Sequence, residues 1–243
     1  MGRVGRKGSP MSWGQGYLFK DRRDAGRQLA QALPRYRDAP QTTVLALPRG
    51  GVVVAYEVSL ALHLPLDVLV TRKLGTPGNP ELAMGALAET GYRHLNRDVL
   101  DSYGVASREL EEEVGRQQRE IARRIERYRR GRAMPALAGG TVILVDDGIA
   151  TGATFYASLA ALREMKVGRL VAAVPVGPDR TQEDLRGLVD EVVLLHAPES
   201  FYGIGQFYAD FHQIDDEEVL ACLEGARAAL KRSPPSREPG RSG

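Results

Sequence analysis

The chain has one cysteine, one tryptophan and only 6% aromatic residues, and each scarcity excludes something. Cys222 alone cannot form an internal disulfide, so the fold is no cystine-stapled scaffold, and a reducing cytosol suits it. Apolar runs such as Leu170 to Val176 fall far short of the roughly 20 residues a bilayer span needs, which excludes a transmembrane helix. Arg3, Arg6 and Lys7 make a basic start, but no apolar stretch follows them as a secretory signal requires. His63, His94, His196 and His212 make no metal-ligand spacing. The phosphate loop of mononucleotide enzymes, Gly-x-x-x-x-Gly-Lys-Ser/Thr, is absent, and so is a Rossmann fingerprint.

What is present is ordinary globular usage. Of 243 residues, 43% are hydrophobic and 26% charged, which fits one α/β domain of generous size. The net charge of +2 is misleading, because residues 1–10 carry three basic groups and 231–243 carry four with one acid. Without them, 26 basic residues face 30 acidic ones, a net of −4. A nucleic-acid-binding core is more often basic, so the expectation is a cytoplasmic protein with neither nucleic acid nor a membrane as partner. Residues 1–15 read as a flexible basic tail and 232–243 as a disordered one, leaving one domain at 16–231.

Within that domain strands and helices alternate. A helix is expected from about Asp21 to Leu33, a buried strand at Thr43–Leu47, a helix ending near Leu62, and a strand at Leu66–Thr71. Gly75 to Pro80 reads as a loop, and Ala83–Glu89 with Tyr92–Leu95 as a hairpin around Thr90-Gly91. Residues 106–131 form a long charged helix, with Leu110, Val114, Ile121, Ile125 and Tyr128 as its apolar stripe. Glu112–Arg116, Glu120–Arg124 and Glu126–Arg130 fall at i,i+4 along it, and these interleaved acids argue against RNA as its ligand. Strands Thr141–Val145, Leu170–Val176 and Glu191–Leu195 follow, with helices at Ala153–Met165 and near Thr181–Leu188. The last helix starts at Asp215, with Glu218 in the capping-box position. This alternation implies a largely parallel sheet covered on both faces, whose ligands sit beyond the carboxyl ends of the strands.

The chemistry concentrates in Thr141-Val-Ile-Leu-Val-Asp-Asp-Gly-Ile-Ala-Thr-Gly-Ala-Thr154. An apolar strand runs into two carboxylates, then into a loop of small and hydroxyl residues that opens a helix. Backbone N–H groups, two threonine hydroxyls and a helix N-terminus suit a phosphate dianion. Adjacent carboxylates would repel that phosphate but accept hydrogen bonds from sugar hydroxyls. A phosphorylated sugar satisfies both halves.

This segment resembles the signature of type I phosphoribosyltransferases. The resemblance, spanning roughly residues 43–195, implies a type I phosphoribosyltransferase-like α/β fold. A small hood at about 196–231 completes the mostly parallel sheet with helices on both faces. It implies that Asp146 and Asp147 hold the ribose of phosphoribosyl pyrophosphate. Gly148, Ile149, Ala150, Thr151, Gly152, Ala153 and Thr154 then hold its 5′-phosphate. Leu47-Pro48-Arg49-Gly50-Gly51 resembles the family's pyrophosphate loop, which often contains a cis peptide, here Pro48–Arg49. Arg72-Lys73 resembles the family's phosphate-facing basic pair, and 74–82 its mobile lid. The family resemblance is greatest to a poorly characterised bacterial branch.

The implied reaction displaces pyrophosphate from the ribose by an acceptor nitrogen, with Arg49, Lys73, Asp146 and Asp147 as the catalytic set. Mg²⁺ is expected to arrive on the pyrophosphate rather than in a protein metal site. Hypoxanthine–guanine-type members carry Asp where this chain has Ala150, which leaves the acceptor base unnamed. Glu81 and Glu89 are candidates for its proton. Phe201, Tyr202, Phe207, Tyr208 and Phe211 are either a stacking platform or a small aromatic core. His196 reads as structural. Many relatives dimerise, so a homodimer is open. A non-catalytic sensor of the same ligand is the alternative from another class, and an aspartyl phosphatase a weaker one that lacks a supporting acid or lysine cluster.

Overall fold

The structure is a computed structural model that describes residues 16–232; the readings made for 1–15 and 233–243 lie outside the described residues. Arg232 itself belongs to the last helix. In chain order the elements are α1 (Arg22–Gln31), β1 (Thr42–Ala46), α2 (Gly50–Leu62), β2 (Leu66–Val68), β3 (Thr71–Thr76) and β4 (Asn79–Ala88). Next come β5 (Arg93–Leu95), α3 (Arg97–Ser102), α4 (Ser107–Arg129), β6 (Thr141–Val145) and α5 (Ala153–Glu164). The chain continues through β7 (Arg169–Val176), α6 (Thr181–Leu185), β8 (Glu191–His196) and α7 (Asp216–Arg232).

Five strands form a parallel sheet in the order β2-β1-β6-β7-β8. Their continuous apolar sequences follow from being covered on both sides, since alternate residues must each find a core. Val44, Ala46, Ile143, Val145, Val171 and Ala173 join a core closed by α1, α2, α4 and α7. Their neighbours Leu45, Val142, Leu144, Leu170, Ala172 and Val174 join a second core with α5 and α6. Against α2, helix α1 packs through Gly26, where any side chain would meet the Val54 carbonyl at 2.5 Å.

A separate antiparallel sheet, β3-β4-β5, carries the hairpin expected around Thr90-Gly91. Two expectations change there. The strand read as Leu66–Thr71 splits, with Thr71 opening β3 in the second sheet. The loop read at Gly75–Pro80 is instead the tip of an ordered β3–β4 hairpin. Its glycine serves close approach rather than looseness: a Cβ on Gly75 would lie 2.9 Å from the Pro80 carbonyl oxygen. Thr76 Oγ1 donates to the Leu82 carbonyl (3.0 Å) and Gly75 N to Glu113 Oε1 of α4 (3.4 Å), pinning the hairpin.

Helix α4 buries Val114, Ile121 and Tyr128, with Leu110 and Ile125 packed partly against the same core, as its stripe requires. Of the three expected ion pairs, Glu120–Arg124 forms at 2.7 Å. Arg116 turns instead to Glu113, a buried carboxylate that also accepts from Gly75 N and Gln117 Nε2, and Arg130 to the exposed Glu224 of α7. The last helix begins as expected, with Glu218 N donating to Asp215 Oδ1 at 2.8 Å.

Where α4 ends, Arg129 is buried with two carboxylates. Its two Nη groups meet Glu89 at 2.9 and 2.8 Å, Nη2 also donates to the Val68 carbonyl (2.7 Å), and Nε approaches Asp67 at 3.3 Å. This network ties β2, β4 and α4 together, and Glu89 is consumed by it. Burial still raises the Glu89 carboxyl above its usual range, with Arg129 pulling against that shift. Removing one partner of a buried pair strands the others. Arg129→Met is therefore expected to cost about 3–5 kcal/mol of unfolding free energy in urea titrations. A loss below about 1 kcal/mol, the range of surface pairs, would contradict the assignment.

Candidate functional site

Strands β1 and β6 are parallel neighbours with Ala46 opposite Val145, so the segments that follow them leave the sheet side by side. Leu47 N donates to the Val145 carbonyl at 3.0 Å, and the Pro48–Arg49 peptide is cis, as the resemblance implied. Helix α2 then starts directly against the two carboxylates. A Cβ on Gly50 would overlap the Asp147 carboxylate, and one on Gly51 would sit 2.8 Å from Asp146 Oδ1. Only glycine admits this approach, and it aims the positive end of the α2 dipole at two negative side chains.

The acid pair is nevertheless costly. Asp147 N donates to Asp146 Oδ1 (2.9 Å), and burial together with the Asp147 charge pushes Asp146 well above the usual carboxylate range. Asp147 is buried and raised by desolvation, with Arg22 opposing the shift. Arg22 Nε contacts Asp147 Oδ2 at 2.7 Å, its Nη1 donates to the His212 carbonyl (2.8 Å), and its guanidinium lies 3.7 Å from the Phe211 ring centroid. Tyr208 donates its hydroxyl to the Asp147 carbonyl at 2.6 Å. Sequence reasoning missed Arg22 altogether. The one available signal was its phase, four residues before Gly26 and seven before Leu29 on the buried face of α1.

The loop after the acids carries Gly148, where a side chain would strike Ile204, and Ile149, whose N–H donates to the Val176 carbonyl (2.9 Å). Gly152 has φ +76° and caps α5, with the Tyr156 ring over it. Ala150 and Thr151 are exposed, and Gly152, Ala153 and Thr154 lie half-buried at the helix start, whose first N–H groups have no intrahelical partner. The Ser158 hydroxyl stands 2.8 Å from both Thr71 Oγ1 and the Thr154 carbonyl, linking this loop to β3. Beside Ala150 and Thr151 a groove of about 580 Å³ opens toward Tyr92, Tyr156, Pro178 and Arg180.

The basic residues divide. Arg72 points to α4, donating from Nε to Gln117 Oε1 (3.0 Å), and feels the charges of Arg124 and Arg49. Lys73 instead reaches along the hairpin to the carbonyl and carboxylate of Glu81 (3.1 and 3.3 Å). Phe207 and Tyr208 are buried with Phe19, and Phe201 and Phe211 pack on them, so these rings form a core. Tyr202 alone is exposed. His196 meets the Phe19 ring edge-on at 5.5 Å, and burial lowers its pKa. Among the described residues no cluster of three His, Cys, Asp or Glu gathers as a metal-holding group, and no helix is long and apolar enough to cross a membrane.

A carboxyl whose pKa folding raises contributes stability below the ordinary range near about pH 4 and costs stability as pH rises through its raised value. Asp146→Asn is therefore expected to raise the melting temperature at about pH 7, with the gain shrinking toward about pH 4. Asp147→Asn removes a carboxyl that is also raised but leaves Arg22 buried without a countercharge, so its gain at about pH 7 is expected to be smaller than that of Asp146→Asn. Melting curves across that range check this order. An Asp146→Asn protein less stable than wild type at neutral pH would count against this account of the pair.

Comparison with known proteins agrees with this geometry. The model of the phosphoribosyl transferase domain family matches residues 19–212. A protein of Mycobacterium tuberculosis H37Rv named "Putative phosphoribosyl transferase" is 48% identical over 209 residues, covering 86% of this chain and 47% of that protein. Its counterpart in strain CDC 1551 matches to the same extent. The chain thus spans about half the length of these curated relatives. The crystal structure of TT1426 from Thermus thermophilus is similar at 45% identity and a TM-score of 0.70, covering 84% of this chain and 97% of that one. On this fold, these strand-end motifs and these matches, the chain belongs to the phosphoribosyl transferase family.

Proposed function

We propose that the chain is a phosphoribosyltransferase that moves the phosphoribosyl group of phosphoribosyl pyrophosphate onto a nitrogen acceptor, a nucleobase by family analogy. The observation that carries this reading is the meeting of Pro48–Gly51 and Asp146–Thr154 at the carboxyl ends of the neighbouring inner strands β1 and β6, with the carboxylates against the α2 N-terminus. Asp146 and Asp147 accept hydrogen bonds from the ribose hydroxyls, and Gly148 to Thr154 hold the 5′-phosphate at the start of α5. Arg22 holds the Asp147 carboxyl in place and opposes the rise in its pKa, so it acts as a positioning residue.

In the reaction the C1–O bond to pyrophosphate breaks, its electron pair leaves with the pyrophosphate, and a C1–N bond forms through an oxocarbenium-like transition state. The protein's work is to orient the ribose and to stabilise the departing charge through Arg49, Arg72 and Lys73, with Pro48, Gly50 and Gly51 shaping that loop. Mg²⁺, when bound, neutralises leaving-group charge. Asp146 and Asp147 are engaged with each other and with Arg22, which fits an ion carried on the pyrophosphate rather than caged by the chain. The groove beside Ala150 and Thr151 offers room for the acceptor, and Glu81, beside Lys73, is the candidate for its proton.

Calorimetric titration with phosphoribosyl pyrophosphate, with and without Mg²⁺, tests this without guessing the acceptor. Saturable binding strengthened by Mg²⁺ is expected, and Asp146→Asn is expected to abolish it while remaining folded. Absence of binding at about millimolar ligand, some 4 kcal/mol of affinity, sinks the reading. Binding without pyrophosphate release in the presence of any base would make the chain a sensor.

A further inference from the structure

Helix α4 takes no part in the motifs that define the family resemblance, yet one of its faces runs past the cationic side of the site. Gln117 receives Arg72 Nε at 3.0 Å. Two turns further on, about 10.5 Å along the axis, comes Arg124, and one turn beyond it Tyr128. Tyr128 donates its hydroxyl to Asp216 Oδ1 (2.6 Å), the oxygen that Arg49 Nη1 approaches at 4.0 Å. Arg124 therefore lies on this face between the residue that meets Arg72 and the residue that shares a carboxylate with Arg49.

The three guanidiniums are incompletely used. Arg124 spends its Nε on Glu120 at 2.7 Å, and its side chain is only 14% exposed. Arg72 spends its Nε on Gln117. Among the described residues, the Nη groups of Arg124 and Arg72 donate to nothing, and Arg49 has only the 4.0 Å approach to Asp216. Like charges on partly buried groups repel: burial, then Arg124 and more weakly Arg49 lower the Arg72 pKa, against Glu120 and Glu113. Neighbouring arginines on α4 are not in this condition. Arg123 forks onto Glu120 (2.8 and 3.0 Å), and Arg127 pairs with Glu217 (2.5 Å). Each guanidinium offers five N–H donors, and planar forks suit phosphate oxygens.

We propose that Arg124 completes, with Arg49 and Arg72, an anion site that takes the pyrophosphate moiety of the substrate, making α4 part of the binding machinery. This rests on the phosphoribosyltransferase reading above. Glu120 holds Arg124 from behind and leaves its Nη edge for the ligand. Asp216 is the resting countercharge of Arg49 until a stronger anion arrives.

The test is titration of wild type, Arg124→Gln and Arg124→Lys with Mg²⁺–pyrophosphate and, separately, with ribose 5-phosphate. The glutamine variant is expected to bind pyrophosphate about tenfold or more weaker, the loss of one charge-assisted contact, with ribose 5-phosphate affinity unchanged. The lysine variant keeps the charge without the fork and is expected to fall between. It also carries the test should the glutamine variant not fold. Arg108→Gln, whose guanidinium pairs with Glu112 near the start of α4, is the control expected to leave both affinities unchanged. Pyrophosphate affinity in the Arg124 variants within about twofold of wild type overturns the proposal, as does an equal loss for both ligands. Wild-type protein that binds neither phosphoribosyl pyrophosphate nor ribose 5-phosphate overturns the underlying reading instead.

Discussion

Two carboxylates on consecutive residues, at the closed end of a buried strand, repel each other and resist desolvation, and much of the surrounding structure answers that cost. Gly50 and Gly51 let the α2 N-terminus close on the pair. Arg22 comes from 125 residues away in sequence to neutralise Asp147. The Asp147 backbone is braced by the Tyr208 hydroxyl, and Asp146 takes the Asp147 N–H. These arrangements reduce the penalty without removing it, since both carboxyl groups remain raised. A site held in an unfavourable charge state by its scaffold favours a ligand that supplies the missing donors.

The same constraint explains the chain's organisation. In a parallel sheet the neighbours β1 and β6 are separated by a long crossover, so the two motifs meet only because the strands pair. Helix α1 and the aromatic segment after β8 converge on Asp147 from opposite ends of the chain, and Arg22 joins them through Phe211 and the His212 carbonyl. The small core of Phe19, Phe207 and Tyr208 is what holds this convergence. Its rings are therefore spent on anchoring the segment after β8 to the N-terminal segment, and of the five aromatic residues singled out there Tyr202 is the one left outside the cluster.

The sheet was legible because strands buried on both faces must be apolar at every position, and the motif was legible because adjacent acids before a small-residue turn have few other uses. The helical stripe of α4 and the Asp215 cap were legible for the same reason: both are local patterns. What was not legible depended on partners far away in sequence. Gly75 and Pro80 read as loop residues, but they form a tight hairpin tip because α4 supplies Glu113 to the Gly75 N–H. Glu89 read as a candidate for the acceptor's proton, but its carboxylate is taken up by Arg129, forty residues on. Arg22 had no local signature beyond its helical phase, and its partner is chosen by tertiary structure alone.

Arginine usage within α4 separates the two kinds of role. Arg129 is buried with its donors distributed among Glu89, Asp67 and a carbonyl, a closed arrangement that any ligand would have to break. Arg123 is similarly closed on Glu120, which its guanidinium draws down to about 2. Arg124, one residue further, shares the same carboxylate through a single Nε, keeps its Nη groups unspent among the described residues, and lies close enough to Arg72 for its charge to lower the Arg72 pKa. A helix built only for packing gains nothing from placing like charges together on a half-buried face, because desolvation and repulsion add there. A helix that also serves a polyanion gains from it, since the repulsion present without ligand is relieved on binding and appears as affinity. On that argument the unspent donors, rather than the number of arginines, mark where α4 changes from scaffold to site.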